Sequence, residues 1–268
     1  MIILVILIII ILFISYNKKK QQRLQEEYEI RQQQLEQHKK KREQYIQERK
    51  NEFINTLTSI EFYKPKISSE KIKKKYLKDF QTITYKNVTK TTKNYDLENF
   101  VVLDVETTGL KPSTDEIIEI SMIKFIDANP VECLTTLIKP KKEIPPDATE
   151  INNITNDMVK DSPYISNVIS DFNDFIKGYN IVGYNLEFDL KFLHCNGLDL
   201  FTEKRKFYDC LQLTRKYFKY MTDTFKLDNI TQLCNIYRPN NHRATEDALA
   251  TGIIFRDIGK KHLNELNN

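Results

Sequence analysis

The hydrophobic pattern divides the chain into three parts. Residues 1–16 are continuously apolar (MIILVILIIIILFISY), and the first charged side chain is Lys18. Residues 17–94 are polar with sparse apolar positions, and after them short apolar runs alternate with amphipathic segments. We therefore expect an apolar N-terminal segment, a polar spacer, and a folded domain that starts near Tyr95 and extends to Asn268.

Residues 1–16 are predicted to be a single-pass membrane anchor. As a helix they span about 24 Å, which is shorter than the ~30 Å hydrocarbon core of a bilayer. The difference is compensated by Tyr16 at the interface, by the snorkelling lysines that follow and by local bilayer thinning. A cleaved signal peptide fits poorly, because no basic region precedes the apolar stretch and no small-residue cleavage site follows it. A buried core helix, the other alternative, would need an apolar partner. Because the flanking lysines follow the anchor, we expect the rest of the chain in the cytoplasm, at the cell membrane.

The polar spacer is predicted to have two parts. Residues 17–60 lack Gly and Pro and are rich in Gln, Glu, Lys and Arg, which favours a charged helical stalk. Its apolar residues share no continuous heptad register, so a solvated helix and a weak coiled coil, through which chains would self-associate, both remain open. Residues 61–94 contain Pro65 and the basic run Lys71–Lys75, and we interpret them as a basic linker.

The pattern of residues 95–268 predicts an α/β domain. Apolar runs indicate strands at 100–105, 117–125, 131–138 and 181–182. Amphipathic periodicity indicates helices at 163–177, 188–194, 209–220, 227–237 and 246–263. Three consecutive strands followed by alternating helices and strands are typical of a mixed central sheet flanked by helices.

Charge and cysteine content narrow the functional classes. Hydrophobic residues make up 40% of the chain and charged residues 29%, which excludes a wholly disordered chain and a polytopic membrane protein. The four cysteines form no Cys-x-x-Cys pair, so we expect reduced thiols and no zinc finger. Residues 17–98 carry 21 Lys and Arg against 12 Asp and Glu, whereas residues 99–268 carry 20 against 25. An acidic domain that acts on phosphates needs positive charge, and bound metal is the usual source.

Three motifs with acidic residues follow one another in the predicted domain. The first places Asp104 and Glu106 on one side of a strand end, because alternate side chains of a strand share a face. The second follows the short strand at 181–182 with a polar turn that contains Asn185, and places Asp189 in the next helix, with Glu187 as the rival acid. The third places His242 in a loop and Asp247 in the last helix. Taken alone, each motif has an ordinary structural interpretation: a solvated strand end, a helix start, or an exposed histidine followed by a helix cap.

In this order the motifs resemble the three exonuclease motifs of the DEDDh superfamily. The resemblance covers roughly residues 99–258 and includes Ile138-Lys139-Pro140 and Asn153-Ile154-Thr155 between the first two motifs. Within the superfamily the chain is most similar to the proofreading epsilon subunit of bacterial DNA polymerase III and to the exonuclease domain of polymerase C. The resemblance implies an RNase H-like fold and a 3′→5′ exonuclease.

The resemblance also implies the roles of the site residues. Two Mg²⁺ or Mn²⁺ ions, which prefer hard oxygen ligands, would be held by four acids: Asp104, Glu106, Asp189 and Asp247. His242 would be the general base that accepts a proton from the attacking water. The terminal nucleotide would be bound by five further residues: Thr107, Thr108, Leu110, Asn185 and Phe188.

The expected substrate is the single-stranded or frayed 3′ end of DNA, and two alternatives remain open. One is a 3′→5′ exoribonuclease of the oligoribonuclease or RNase T type, because contacts to the 2′-hydroxyl cannot be located from one sequence. The other is a membrane-tethered nucleic-acid-binding protein with an inactive nuclease fold, and the presence of all five active-site residues argues against it. We expect a stand-alone enzyme without a replicative polymerase as partner, because the chain ends soon after Asp247 and has no convincing clamp-binding segment.

Overall fold

The computed structural model describes residues 33, 36–37, 39–67, 80–239 and 242–268. Its contacts divide the chain into two units, Met1–Asn51 and Glu52–Asn268. Residues 39–59 form helix α1, and its part within the first unit is largely exposed. The predicted anchor at residues 1–16 lies outside the described residues. Among those that are described, no helix has both the length and the apolar character that a membrane span requires.

A six-stranded mixed sheet in the order β1-β4-β3-β2-β5-β6 is the centre of the second unit. Strand β3 is antiparallel to β2 and β4, β5 is parallel to β2 and β6, and β1 is parallel to β4. This arrangement confirms the predicted α/β class with a mixed sheet. The strands are β1 (Glu61–Tyr63), β2 (Phe100–Thr107), β3 (Ile117–Ile126), β4 (Asn129–Leu137), β5 (Asn180–Gly183) and β6 (Phe207–Asp209).

Eight further helices are present among the described residues of the second unit. The expected helix at 163–177 is interrupted, because Val168 leaves helical geometry at φ −124° between a 3₁₀ turn (Ile165–Asn167) and α5. Three short helices, at residues 94–98, 146–152 and 156–159, were not expected. The helices are α2 (Asn94–Glu98), α3 (Pro146–Asn152), α4 (Asn156–Val159), α5 (Ile169–Phe175), α6 (Glu187–Cys195), α7 (Cys210–Tyr217), α8 (Leu227–Leu233) and α9 (Ala244–Asn267).

The two faces of β2 contact different helices. Phe100 and Val102 belong to the core cluster that contains α9, whereas Val101 and Leu103 belong to the cluster that contains α5 and α6. Helix α9 lies very close to the sheet, because a Cβ atom on Gly252 would come within 2.4 Å of the ring of Phe125. Since side chains alternate along a strand, Asp104 and Glu106 continue the row that faces α9.

The packed unit begins well before Tyr95, the position that the sequence pattern indicated. Phe53 and Val88 are buried in the core, β1 pairs with β4, and Tyr85 forms a parallel bridge with Phe207. Residues 52–63 and 80–94 therefore contribute to the packed unit, although the sequence assigned them to a stalk and a linker. Single apolar residues in a polar segment carry no periodicity, so the pattern did not distinguish them from solvated positions.

The burial of Phe53 predicts a measurable contribution of the N-terminal segment to stability. Its side chain is 4% exposed, and its ring lies 6.2 Å from the ring of Tyr237 in an edge-on arrangement. We expect Phe53→Ala to lower the free energy of unfolding by about 3–5 kcal/mol, measured by chemical denaturation. The control is Ile54→Ala on the same helix, since Ile54 is 41% exposed. Equal effects of the two substitutions would contradict the packing of this segment.

Candidate active site

The first motif lies at the end of β2, where the strand leaves the sheet for a tight turn. Thr107 Oγ1 donates to the carbonyl oxygen of Gly109 at 2.6 Å, and the amide of Lys111 donates to Asp115 at 2.8 Å. A Cβ atom on Gly109 would lie 2.4 Å from that Asp115 carboxylate, so the turn has no room for a larger residue. The turn leaves Leu110 81% exposed, with its apolar side chain free to contact a ligand.

The second motif is joined to the first by a direct hydrogen bond. Asp189 is buried in the first turn of α6, and its Oδ1 accepts the backbone N–H of Val105 at 3.0 Å. Before the helix, Asn185 adopts a left-handed conformation with φ +56°, and its N–H donates to Asp209 at 3.0 Å. The same Asp209 oxygen accepts the N–H of Leu211 and so caps α7. Asp209 therefore links the turns after β5 and β6.

The third motif is held against β3 by a buried acid. The carboxylate of Glu119 accepts hydrogen bonds from Arg243 Nη2 at 2.7 Å and from the backbone N–H of Ala244 at 3.0 Å. Because Glu119 is also the register partner of Glu106 across β2 and β3, it joins the start of α9 to the first motif. The backbone of His242, just before this anchor, is left-handed at φ +60°.

The three motifs converge at one end of the sheet. Ligand atoms of Glu106, His242 and Asp247 all lie within 4.8 Å of one another. Asp104 and Asp189 are near enough to repel each other and Asp247 electrostatically. The structure thus places the five sequence-predicted catalytic residues in one region.

Without bound metal, the acids of this region strongly favour their protonated, neutral forms. Burial raises the pKa of Asp104 well above its usual range, and repulsion from Asp189 and Asp247 adds to that effect. Burial, followed by repulsion from Asp247, raises the pKa of Glu106 to about 8. Burial likewise raises the pKa of Asp189 to about 8, although the Val105 N–H opposes it. Burial and repulsion favour the protonated forms of these acids, and a cation beside them would stabilise their anions. The cluster is therefore suited to bind a cation.

One buried arginine partly compensates the acids. Arg238 Nη1 lies 2.5 Å from Asp247 Oδ1, and the same guanidinium pairs with Asp228 on α8. Burial raises the pKa of Asp247 to about 6, less than for its neighbours because Arg238 opposes the shift. Burial and the charge of Arg238 both lower the pKa of His242. His242 is therefore neutral near pH 7, the form in which an imidazole accepts a proton.

The predicted substrate residues lie in the turn after β2 and at the start of α6. Thr107, Thr108 and Leu110 form the turn after β2, where Thr108 Oγ1 accepts the N–H of Glu116 at 2.9 Å. Asn185 is exposed at the turn before α6. Phe188 is half-buried, and its ring packs 5.0 Å from that of Phe192, so the structure shows a packing role for it.

Comparison with known proteins identifies the family. The family model described as RNase T, exonuclease, matches residues 101–255, which contain all three motifs. The chain belongs to this exonuclease family. A PolC-type DNA polymerase III of Caldanaerobacter subterraneus is 35% identical over 177 residues, covering 63% of this chain and 13% of the polymerase. The epsilon subunit of DNA polymerase III from Treponema pallidum is 33% identical over 170 residues, covering 62% of this chain and 79% of the subunit.

Solved structures support the fold assignment for this exonuclease family member. E. coli exonuclease I in complex with a dT13 oligonucleotide superposes with a TM-score of 0.54 at 18% identity, over 63% of this chain and 43% of that one. At this identity the similarity concerns the fold. It agrees with the mixed sheet flanked by helices and therefore with the exonuclease fold that the motifs implied.

The donor atoms of the exonuclease site fit divalent metal ions, which this fold family generally uses. The cluster offers carboxylate oxygens and one imidazole nitrogen, and hard divalent cations favour the oxygens. Burial and repulsion between the acids raise the pKa values of Asp104, Glu106 and Asp189, so their charged forms need a neighbouring positive charge. A bound cation would supply the missing charge.

The raised pKa values predict how pH and metal affect stability. The folded chain keeps protons on these acids up to about pH 8, whereas unfolded carboxyl groups release them near pH 4. The metal-free chain therefore loses stability as pH rises from about 4 to about 8. We expect saturating Mg²⁺ to raise the melting temperature by roughly 5–10 °C at pH 8 and by less at pH 6, where protons compete.

Differential scanning fluorimetry at the two pH values measures this effect. Glu106→Gln should reduce the metal-induced shift, whereas Asp147→Asn, an exposed acid on α3, should leave it unchanged. A metal-induced shift that is larger at pH 6 than at pH 8 would contradict the charge account.

Sequence reasoning missed four polar residues that position this site. Two acids and two arginines are involved: Glu119, Asp209, Arg238 and Arg243. A single acid inside the apolar run of β3 was the one available signal for Glu119. The other partners are brought together only by folding.

Proposed function

We propose that this chain is a metal-dependent 3′→5′ exonuclease that releases mononucleotides from single-stranded or frayed 3′ ends of DNA. The observation that carries the proposal is the convergence of Glu106, His242 and Asp247 within 4.8 Å, beside the partly buried Asp104 and the buried Asp189. The chain spans only 13% of the length of its PolC-type relative, so polymerase functions of that relative are not transferred.

The proposed chemistry assigns one task to each group. Divalent ions, when bound, would neutralise the carboxylates, lower the pKa of the attacking water and stabilise the leaving oxygen. We propose two Mg²⁺ or Mn²⁺ ions, held by four acids: Asp104, Glu106, Asp189 and Asp247. His242 accepts the proton of the attacking water, and its lowered pKa keeps it neutral for that purpose.

The turn after β2 is suited to recognise the terminal nucleotide. Leu110 is 81% exposed, and an apolar side chain beside a catalytic site can pack against a base. The hydrogen bonds of Thr107 and Thr108 fix this turn relative to β2 and β3. We propose that Leu110 separates the terminal base from its neighbour, while Asn185 contacts the nucleotide from the cleft that also contains His242 and Asp247.

DNA is favoured over RNA by the relatives. The matched proteins named as relatives are DNA polymerase III subunits, and the superposed exonuclease I holds a deoxyoligonucleotide. The test is digestion of 5′-labelled single-stranded DNA by the full-length chain with Mg²⁺ or Mn²⁺, alongside RNA of the same sequence. We expect a ladder of progressively shorter labelled DNA strands. Faster digestion of RNA would establish the exoribonuclease alternative, and binding without cleavage would establish the inactive one.

We propose that residues 1–16 anchor the chain in the cell membrane, with the exonuclease domain in the cytoplasm. The uninterrupted apolar sequence and the lysines that follow it support this topology. Membrane fractionation and carbonate extraction of the full-length chain test it, with a variant lacking residues 2–16 as the control. Recovery of the full-length chain in the soluble fraction would overturn the anchor without affecting the proposed catalysis.

A further inference from the structure

The segment between α7 and α8, residues 218–226, borders the catalytic cleft. A cleft of about 700 Å³ extends from His242 and Asp247 to Arg215 on α7 and Lys226 at the end of this segment. The segment is fixed to the sheet, because Tyr184 Oη donates to the carbonyl oxygen of Phe225 at 2.6 Å. A ligand that extends from the catalytic residues along this cleft therefore contacts residues of the segment.

Residues 215–226, which include the end of α7 and this segment, form a basic stretch within an acidic domain. Residues 215–226 carry four Lys and Arg against one Asp, whereas residues 99–268 as a whole have more acids than bases. Arg215 and Lys226 are both exposed, and in the described part of the chain neither forms an ion pair. The nearby Asp228 is already paired with Arg238. Two positive charges thus remain available to an anionic ligand at the edge of the cleft.

The part of the segment next to the cleft-lining residues exposes two large side chains. Tyr220 is 91% exposed and Met221 is 68% exposed. The ammonium group of Lys219 lies 5.2 Å from the centre of the Tyr220 ring, which keeps the cation and the aromatic face together. Exposed aromatic rings interleaved with cations are typical of surfaces that bind single-stranded nucleic acids, where bases stack on the rings.

We propose that the surface formed by residues 215–226 binds the nucleic-acid strand upstream of the bond to be cleaved. Arg215 and Lys226 contact phosphates of that strand, and Tyr220 stacks on one of its bases. The inference rests on the proposed exonuclease function and assigns it an extended single-stranded substrate. It predicts that affinity depends on nucleotides that the catalytic residues do not touch.

A second cleft provides a matched control. It has a volume of about 620 Å³ beside residues 112–117 and is lined by Lys139, Lys141 and Lys142. Lys139 Nζ donates to the carbonyl oxygen of Lys160, whereas the side chains of Lys141 and Lys142 are exposed. No catalytic residue lines this cleft. Removing Lys141 and Lys142 changes the net charge by as much as removing Arg215 and Lys226.

The experiment compares two substrates with the full-length chain. One is a 5′-labelled single-stranded 20-mer, and the other is the p-nitrophenyl ester of thymidine 5′-monophosphate, which has no upstream strand. We expect Arg215→Ala/Lys226→Ala to raise KM for the 20-mer at least tenfold more than KM for the ester, with kcat little changed. The slope of log KM against log salt should fall by about 0.7 per lost phosphate contact. Tyr220→Ala should raise KM for the 20-mer by about 5–100-fold.

The outcomes separate this inference from the proposed function. If the wild-type chain hydrolyses neither substrate, the exonuclease proposal fails. If it hydrolyses both substrates, the exonuclease proposal stands. If Lys141→Ala/Lys142→Ala then raises KM for the 20-mer as much as Arg215→Ala/Lys226→Ala does, only the proposed strand-binding surface is overturned. Unchanged KM and salt slope in Arg215→Ala/Lys226→Ala would overturn it in the same way.

Discussion

Asp104→Asn is expected to abolish release of nucleotides by the full-length chain, with a loss of roughly 10⁴-fold or more. Burial, followed by repulsion from Asp189, Asp247 and Glu106, acts on the Asp104 carboxylate. Asparagine has the same shape but cannot supply the negative charge that divalent ions require. Single-turnover digestion of a labelled strand in Mg²⁺ measures the loss.

The melting temperature and strand binding of Asp104→Asn show whether the variant is folded. Because burial and repulsion disfavour the Asp104 anion, the metal-free variant should melt at or above the temperature of the wild-type chain. It should also retain binding of the strand, since the proposed contacts of Arg215 and Lys226 lie outside the metal ligands. Asp147→Asn, an exposed acid on α3, is the control for charge. An Asp104→Asn chain that is folded and still active would exclude Asp104 from catalysis.

His242→Asn is expected to lower kcat by roughly 10²–10⁴-fold while divalent ions still bind. Asparagine suits this position because it tolerates the left-handed backbone at φ +60°, so the substitution removes the base without adding backbone strain. Calorimetric titration with Mn²⁺ checks that metal binding persists. The control is His262→Gln, which removes an imidazole on α9 away from the catalytic cleft.

The pH dependence gives a second result for the same residue. A general base must be neutral, so activity should rise with pH through the pKa of His242. Burial and Arg238 lower that pKa, so the rise should lie below about pH 6.5. In His242→Asn this rise should be absent. A wild-type rise centred well above pH 6.5, or one that persists in the variant, would assign the proton transfer to another group.

Strong local patterns made part of the fold predictable from the sequence. Strands β2 and β3 have long, mostly buried apolar runs, whereas β4 is only partly buried. The predicted bounds of all three strands differ from the observed ones by two residues or fewer. By contrast, β1 has three exposed residues and pairs with β4, about 70 positions later, so nothing in its own sequence indicates a strand. Short elements that depend on distant partners have no local signal.

The candidate site shows the same division. Asp104, Glu106, Asp189, His242 and Asp247 were identified because their spacing resembles known motifs. The residues that hold them were not, because their contacts join distant parts of the chain: Glu119 and Arg243 are separated by 124 positions. Arg238 was also missed, since nothing near it in sequence shows that it packs against Asp247.

The most direct test of the account is the identity of the product released in ¹⁸O-labelled water. The full-length chain is incubated with a single-stranded DNA and Mg²⁺, and the products are followed by mass spectrometry over time. A 3′→5′ exonuclease that uses water as nucleophile is expected to release 5′-mononucleotides that carry one ¹⁸O in their phosphate, stepwise while the strand shortens from its 3′ end. Internal fragments, 3′-monophosphates, or mononucleotides taken first from the 5′ end would contradict it.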